Sequence, residues 1–255
     1  MSLIIHMKIP GAIVIASDCR VTGTEQLYLT LKDKTNDSEE KCMREIGKIE
    51  ELALHPFIEG ERNQLQFGKY DYIKSDSEQK SFLLTTKSNS KYAVSYCGNA
   101  NLNGYPASYV IKEALKKMTD VDSTFEIAKR FNDFWNQEKI DNKPSLLISG
   151  YNDGKQSIIE LKPDGEIKEH YSANSLFGFT FHGEQSVVSA LIELETIEYS
   201  LFRLKDAIDF CAMLITTTAK MQFFQKRQQT VSEAYDLLVI TESKAEWIHR
   251  NSFEI

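Results

Sequence analysis

The chain has 255 residues, of which 42% are hydrophobic and 26% are charged, and its formal net charge is −7. This length and hydrophobic content suit one large domain better than two small ones. The negative balance argues against nucleic acid and anionic membranes as partners. No apolar run approaches the roughly 20 residues of a membrane span, and no basic segment precedes an apolar one as in a signal peptide. We therefore expect a cytoplasmic protein.

The first twenty residues predict a β-hairpin. Two runs rich in Ile and Val flank Pro10-Gly11, which is a strong turn signal. The second run ends in a carboxylate and a guanidinium, Asp18 and Arg20. A strand of seven or eight residues spans roughly 25 Å, and an antiparallel partner brings the chain back level with its start. Ser2 and Asp18 are therefore expected to lie near each other.

Ser2 becomes the first residue if an aminopeptidase removes Met1. It then carries a hydroxyl and an α-amine, and the ordinary pKa of that amine is about 7.7–8.0, so the amine can act as base for the hydroxyl. A nucleophile with an adjacent base is the minimum for acyl transfer. Judged on the terminus alone, Ser2 is better interpreted as a common second residue without a chemical role. Met-Ser-Leu can also be left behind by cloning.

Lysines at the end of the third predicted strand are candidates to act on this amine. Lys32 and Lys34 follow the strand over 26–31 and share a face, because side chains alternate along a strand. A cation beside an amine disfavours its protonated form and keeps more free base at neutral pH. The alternative is a solvated charge cluster at a strand end.

The rest of the chain predicts an order of strands, two helices, strands, two helices and strands. Helices are expected from Pro106, from a cap at Asp122-Ser123, and over 185–199 and 205–224. Further strands are expected over 64–73, 81–85, 91–96, 145–151, 157–161, 166–171, 174–180 with its end near Gly183, 230–240 and 244–249. Amphipathic helix pairs each cover one face of a sheet. The pattern therefore predicts an α+β protein, a four-layer α/β/β/α sandwich.

A charged, helix-prone segment at about 35–60 interrupts this pattern within a single domain over 1–255. We interpret it as a decorated surface loop, with a lid or a subunit contact as alternatives.

The cysteines and histidines do not indicate a metal site. The four cysteines include no C-x-x-C pair and suit a reducing cytosol, and the five histidines form no H-x-x-x-H pair. No phosphate-binding glycine loop follows a strand, and no G-x-S-x-G elbow supports a Ser-His-Asp hydrolase. We expect no metal and no cofactor, and we interpret His6 on the first strand as packing.

The segment 11–22, Gly-Ala-Ile-Val-Ile-Ala-Ser-Asp-Cys-Arg-Val-Thr, resembles the opening of proteasome β-type subunits and their bacterial HslV-like relatives. Mature members of that family begin with a nucleophile, usually Thr, followed by two strands and Asp-x-Arg. They carry the aspartate sixteen positions and a lysine thirty-two positions after the nucleophile. Counted from Ser2, these offsets fall on Asp18 and Lys34. A weaker resemblance extends through the whole chain.

The resemblance implies an N-terminal-nucleophile (Ntn) hydrolase that cleaves peptide bonds. Ser2 would attack the scissile carbonyl, with its own amine as base and then acid. Lys34 would lower the pKa of that amine, Asp18 would orient Lys34, and Arg20 would brace the strand end. The amide of Gly98, in the turn after the strand over 91–96, would stabilise the oxyanion. Peptides or unfolded proteins are the implied substrates, and a ring or stacked ring of identical chains is the implied assembly.

Two departures from the family keep other interpretations open. Asn99 replaces a second glycine that is common in the family, and the segment 230–234 lacks the glycines of the family's turn there. Ser232 or Glu233 could substitute for the supporting Ser and Asp of that turn. A non-catalytic assembly subunit and an amidase acting on a small molecule are therefore the alternatives to a peptidase.

Overall fold

The computed structural model divides the chain into two units, residues 1–21 with 75–255, and residues 22–74. The residues that the structure describes are 2–30, 64–171, 174–193, 197–225 and 229–251.

The first sheet of the larger unit is built on the predicted hairpin. Strands β1 (Leu3–Ile9) and β2 (Ala12–Asp18) pair antiparallel, with Ile4 opposite Ser17 and Ile9 opposite Ala12. Every residue of both strands is buried, which explains two nearly continuous apolar runs where a half-exposed strand would alternate. The sheet order is β12-β1-β2-β13-β14. Its other strands are β12 (Gly178–Gly183), β13 (Tyr235–Ile240) and β14 (Ala245–His249).

The second sheet is also antiparallel and has the order β11-β10-β9-β6-β5. Its strands are β5 (Ser81–Thr85), β6 (Lys91–Cys97), β9 (Ser145–Asn152), β10 (Lys155–Leu161) and β11 (Ile167–Glu169). A short ribbon of β7 (Asn101–Leu102) and β8 (Tyr105–Pro106) follows the second of these strands.

Four helices of the described residues pack against the two sheets. They are α1 (Ala107–Lys116), α2 (Thr124–Gln137), α3 (Gln185–Glu193) and α4 (Leu204–Phe224). The predicted cap of α2 is confirmed, because the Ser123 hydroxyl accepts a hydrogen bond from the Glu126 amide. Helix α2 packs on β9 and β10 of the second sheet, and α4 packs on β1 and β2 of the first. No helix in these described ranges is long and apolar enough to cross a membrane.

Four apolar clusters of the described residues lie in the larger unit, and the smallest joins Ile4, Cys97 and Leu147. One lies between the second sheet and helices α1 and α2, and another between the first sheet and helices α3 and α4. The third lies between the two sheets and contains Ile13, Ile15, Ala93, Ile158, Leu238 and Ile240. Polar groups are also buried between the sheets, and they define the candidate site.

Some predicted boundaries are wrong. The helix expected over 185–199 is described over Gln185–Glu193, and it does not reach 199, where a 3₁₀ turn runs over Tyr199–Leu201. The strand expected from 174 begins only at Gly178, and it ends at Gly183 as expected. The strand expected from 230 begins at Tyr235, because the Thr230 and Val231 amides donate to the Gln222 side chain instead of a neighbouring strand.

The smaller unit contains a two-stranded sheet of β3 (Val21–Thr30) and β4 (Gln64–Ser75). Strand β4 confirms the strand expected over 64–73, whereas β3 begins earlier than the strand expected over 26–31. The charged segment at about 35–60 lies outside the described residues.

Candidate active site

Ser2 lies at the start of β1, in a tightly packed position. It is 7% exposed, and its carbonyl oxygen accepts a 2.8 Å hydrogen bond from the Glu184 amide. The backbone of Ser2 also hydrogen-bonds to the thiol of Cys97, whose pKa is raised mainly by burial. Gly183 approaches so closely that an added Cβ there would lie 1.6 Å from the Ser2 oxygen. The ends of β6, at Cys97, and of β12, at Gly183, therefore hold the backbone of Ser2 in place.

The Asp18 carboxylate is fully buried at the end of β2 and is surrounded by donors. Its Oδ1 accepts hydrogen bonds from the Leu3 amide at 2.7 Å and from the Lys80 ammonium at 2.8 Å. Its Oδ2 accepts from the amides of Arg20 at 2.9 Å and Ser232 at 3.4 Å. The amide that joins Ser2 to Leu3 thus contacts Asp18, which is the proximity that the hairpin argument anticipates.

Lys80 is the lysine that the described structure places beside Asp18. It directly precedes β5, its side chain is 1% exposed, and it also donates to the Arg20 carbonyl oxygen at 2.5 Å. Burying a charge is costly unless it is paired and hydrogen-bonded, and Lys80 meets both conditions. Lys80 and the Leu3 amide share one carboxylate oxygen, so the ammonium lies a few ångströms from the backbone of Ser2.

The register count from Ser2 did not identify Lys80. That count selects Lys34, which lies outside the described residues. The count assumes a direct path from the Asp-x-Arg strand to the lysine, whereas residues 22–74 form a separate unit of the chain. The sequence feature that could have identified Lys80 is its position immediately before the apolar strand over 81–85.

Arg20 connects the end of β2 to two other segments. Its guanidinium donates to both carboxylate oxygens of Asp76, at 2.5 and 2.7 Å, and to the Gln229 side chain at 3.0 Å. These hydrogen bonds to Asp76 raise the pKa of Arg20 and lower the pKa of Asp76. The guanidinium thus links the strand end to the segments around Asp76 and Gln229.

Gly98 follows β6 and is exposed, with a φ of +119° that favours glycine. Its neighbour Cys97 contacts Ser2, so Gly98 lies one residue away from a contact of the candidate nucleophile.

The segment 230–234 supplies a serine to the site and leaves its glutamate outside. The Ser232 hydroxyl accepts from the Cys19 amide at 3.2 Å and donates to the Ala234 carbonyl at 2.6 Å, in addition to the contact of its amide with Asp18. Glu233 is exposed.

A buried chain of hydroxyl groups runs between the sheets next to the Asp18–Lys80 pair. Ser81 hydrogen-bonds to Ser17 at 2.9 Å and to Ser95 at 2.8 Å, and Ser95 contacts His6 Nε2 at 2.8 Å. The other ring nitrogen of His6 contacts Ser149 at 2.5 Å. Complete burial lowers the pKa of His6 to about 3, so its imidazole is neutral at neutral pH.

Comparison with known proteins supports the fold. No protein-family profile matches the chain, and no curated protein matches it significantly. Among solved structures, the chain is similar to a Gly-1 mutant of Anbu from Hyphomicrobium sp. strain MC1. The TM-score is 0.55 at 13% sequence identity, covering 99% of this chain and 89% of that one. Anbu is a bacterial proteasome-related protein, so this similarity supports a proteasome-like fold of mixed α/β type.

Proposed function

We propose that the chain is a proteasome-type peptidase whose nucleophile is the hydroxyl of Ser2, exposed by removal of Met1. The observation that carries this proposal is the shared Oδ1 of Asp18, which binds both the Leu3 amide and the Lys80 ammonium. The backbone that follows Ser2, a buried lysine and a buried carboxylate thereby meet at one end of the two sheets.

The packing of the larger unit favours the same class. Helices cover one face of each sheet, and apolar side chains fill the space between the two sheets. This packing supports the proposed four-layer α/β/β/α sandwich of Ntn hydrolases. We propose one such domain, carrying residues 22–74 as an insertion between β2 and β5.

The proposed reaction uses the Ser2 hydroxyl and its own α-amine. The hydroxyl oxygen forms a bond to the scissile carbonyl carbon while its proton passes to the amine. The resulting ammonium protonates the leaving nitrogen as the carbon–nitrogen bond breaks. Water then attacks the ester with the amine as base, and the proton returns to the serine oxygen as the acyl group leaves.

Four other groups would support this chemistry. The Lys80 cation disfavours the protonated amine and so keeps it available as a base. Asp18 fixes Lys80, and Arg20 braces the strand that carries Asp18. The Gly98 amide is the proposed oxyanion donor, a role typically worth about 2.7–4 kcal/mol of barrier. We extend the proposal to peptide or unfolded-protein substrates and to a ring or stacked ring of identical chains.

The test begins with the N-terminus of the purified chain. Intact mass and N-terminal sequencing should show loss of Met1, and a β-lactone probe should then label Ser2. Ser2→Ala should abolish labelling. Lys80→Met should also abolish it, whereas Lys34→Met should leave it intact if Lys80 is the lysine of the site. Circular dichroism and size-exclusion with light scattering would establish that each variant is folded and assembled.

The other outcomes discriminate between functions. A chain that keeps Met1, or loses it and stays unlabelled, would be an assembly subunit and not a hydrolase. Labelling of Ser2 in a monomer or dimer that cleaves small amides but not peptides would favour an amidase. Labelling lost in Lys34→Met and kept in Lys80→Met would return the role to Lys34.

A further inference from the structure

A second polar cluster contains Glu160, His170 and His182 and lies where β12 of the first sheet meets the β10–β11 side of the second. Glu160 is on β10, and His170 directly follows β11, so both belong to the second sheet. His182 is on β12, which is the edge strand of the first sheet. The proposed peptidase chemistry uses none of these three residues.

The spacing of the three side chains matches a metal site. Glu160 Oε2 lies 3.0 Å from His170 Nε2, and Glu160 Oε1 lies 3.5 Å from His182 Nε2. One possible ligand atom from each residue falls within 4.8 Å of the other two. Tetrahedral Zn²⁺ with bonds of about 2.0–2.2 Å separates its ligand atoms by roughly 3.3 Å. Small side-chain adjustments would therefore bring one carboxylate and two imidazoles around a single ion.

The remaining ring nitrogens already have partners of the kind found around metal centres. His170 Nδ1 faces the Thr180 hydroxyl at 3.4 Å, and His182 Nδ1 faces the Ser145 hydroxyl at 3.4 Å. The Ser145 hydroxyl also donates to Glu160 at 3.3 Å. Such outer contacts orient metal-binding imidazoles and fix which nitrogen faces the ion. Both Nε2 atoms thus point to the same carboxylate.

The exposure of the cluster also suits metal binding. The side chains are 15%, 19% and 9% exposed for His170, His182 and Glu160, so water can reach a fourth ligand position.

We propose that Glu160, His170 and His182 bind one Zn²⁺ ion, or a similar divalent transition metal, that joins the edge strands of the two sheets. Two imidazoles and one carboxylate form a ligand set suited to such ions, with one position left open. His182 lies opposite Ile4 on β1, and the next residue along the chain packs on Ser2. The metal would thus fix the end of β12 that contacts the N-terminus.

The test uses the untagged full chain after removal of metals with EDTA. Titration with ZnCl₂, followed by calorimetry against a competing chelator, should show one ion bound per chain and a raised melting temperature. His182→Gln and Glu160→Gln should each weaken binding at least tenfold and remove most of the thermal shift. The exposed His249 provides the matched control, and His249→Gln should bind Zn²⁺ like the unmodified chain.

Several results would overturn the assignment. One is no Zn²⁺ binding by the unmodified chain. Another is that both cluster variants bind Zn²⁺ as tightly as the unmodified chain. The third is that His249→Gln weakens binding as much as the cluster variants do. Should a cluster variant not fold, anomalous diffraction at the zinc edge from Zn²⁺-soaked crystals of the unmodified chain decides the question. A peak between the three side chains supports the site, and its absence refutes it. None of these measurements depends on peptidase activity, so the two proposals can fail separately.

Discussion

The Lys80 ammonium lies 2.8 Å from the Asp18 carboxylate, and both side chains are almost completely shielded from solvent, at 1% and 0% exposure. The pair joins β2, the second strand of the hairpin, to the residue directly before β5. The same carboxylate accepts a hydrogen bond from the Leu3 amide, so the pair also contacts the backbone next to Ser2.

Removing one member of this pair should destabilise the fold strongly. Lys80→Met leaves the Asp18 carboxylate buried without its counter-ion, a change that typically costs about 3–5 kcal/mol. Lys116→Met breaks an exposed i,i+3 pair with Glu113 and should cost far less, because solvent screens the pair. The free energy of unfolding from urea titration measures both.

A double variant separates the lost charge pairing from lost packing. Asp18→Asn combined with Lys80→Met removes both charges and keeps an acceptor for the Leu3 amide, so it should recover part of the stability lost in Lys80→Met alone. Equal losses in Lys80→Met and Lys116→Met would contradict the burial of the pair.

Gly183→Ala should disrupt the site through a direct collision. The new Cβ would lie 1.6 Å from the carbonyl oxygen of Ser2, and the φ of this position is +107°. Gly11→Ala is the control, because its φ is +78° with no atom within 4 Å of the added Cβ. Gly11→Ala should cost about 1–2 kcal/mol for the left-handed backbone alone, and Gly183→Ala about 3 kcal/mol or more since crowding is added. Thermal and urea unfolding of both variants would measure the difference, and similar losses would refute the close approach.

His6 should make the fold sensitive to acid. Its pKa is about 3 in the folded chain and about 6.5 unfolded, so between these values the unfolded chain binds the extra proton. The neutral imidazole contributes fully to the free energy of unfolding above the unfolded pKa. That contribution falls by about 1.4 kcal/mol for each pH unit well below about 6.5. His170 and His182 act in the same direction, since their pKa values are also lowered.

The measurement is urea unfolding in EDTA at about pH 7, 6 and 5. The free energy of unfolding should decline less steeply with falling pH in His6→Gln, because unfolding then takes up nearly one proton fewer per molecule. The stability of this variant at neutral pH should also be lower. The unmodified chain measured in parallel provides the reference slope. An unchanged slope in His6→Gln would rule out the burial of a neutral imidazole as the cause.

Arg20→Lys should weaken the brace although the charge is kept. A lysine cannot make the two parallel hydrogen bonds to Asp76 and also reach Gln229, so we expect a loss of about 1–2 kcal/mol. Arg130→Lys, at a more exposed site beside Asp120 and Glu126, should cost less than about 1 kcal/mol. Chemical denaturation of both variants provides the comparison, and the reverse order would argue against the brace.

Local patterns in the sequence were sufficient for the hairpin and most of the helices. Pro10-Gly11 between two apolar runs specifies an antiparallel pair, and that pairing brings Ser2 to Asp18 without further information. The Ser123 cap is likewise a contact between near neighbours in the chain. Such features depend on residues a few positions apart, where turn chemistry and side-chain periodicity dominate.

Contacts between distant segments could not be obtained in this way. In the sequence, Lys80 is separated from Asp18 by residues 22–74, which form a separate unit. Counting from the N-terminus therefore selects a different lysine. His182 faces Glu160 because the edge strand β12 of the first sheet lies beside β10 of the second, and no ligand spacing in the sequence records that arrangement. The sequence alone determined where the chain turns and which faces are apolar. Only the packing of the sheets decided which buried charges and imidazoles meet, because a buried polar group takes its partner from whatever segment the fold places beside it.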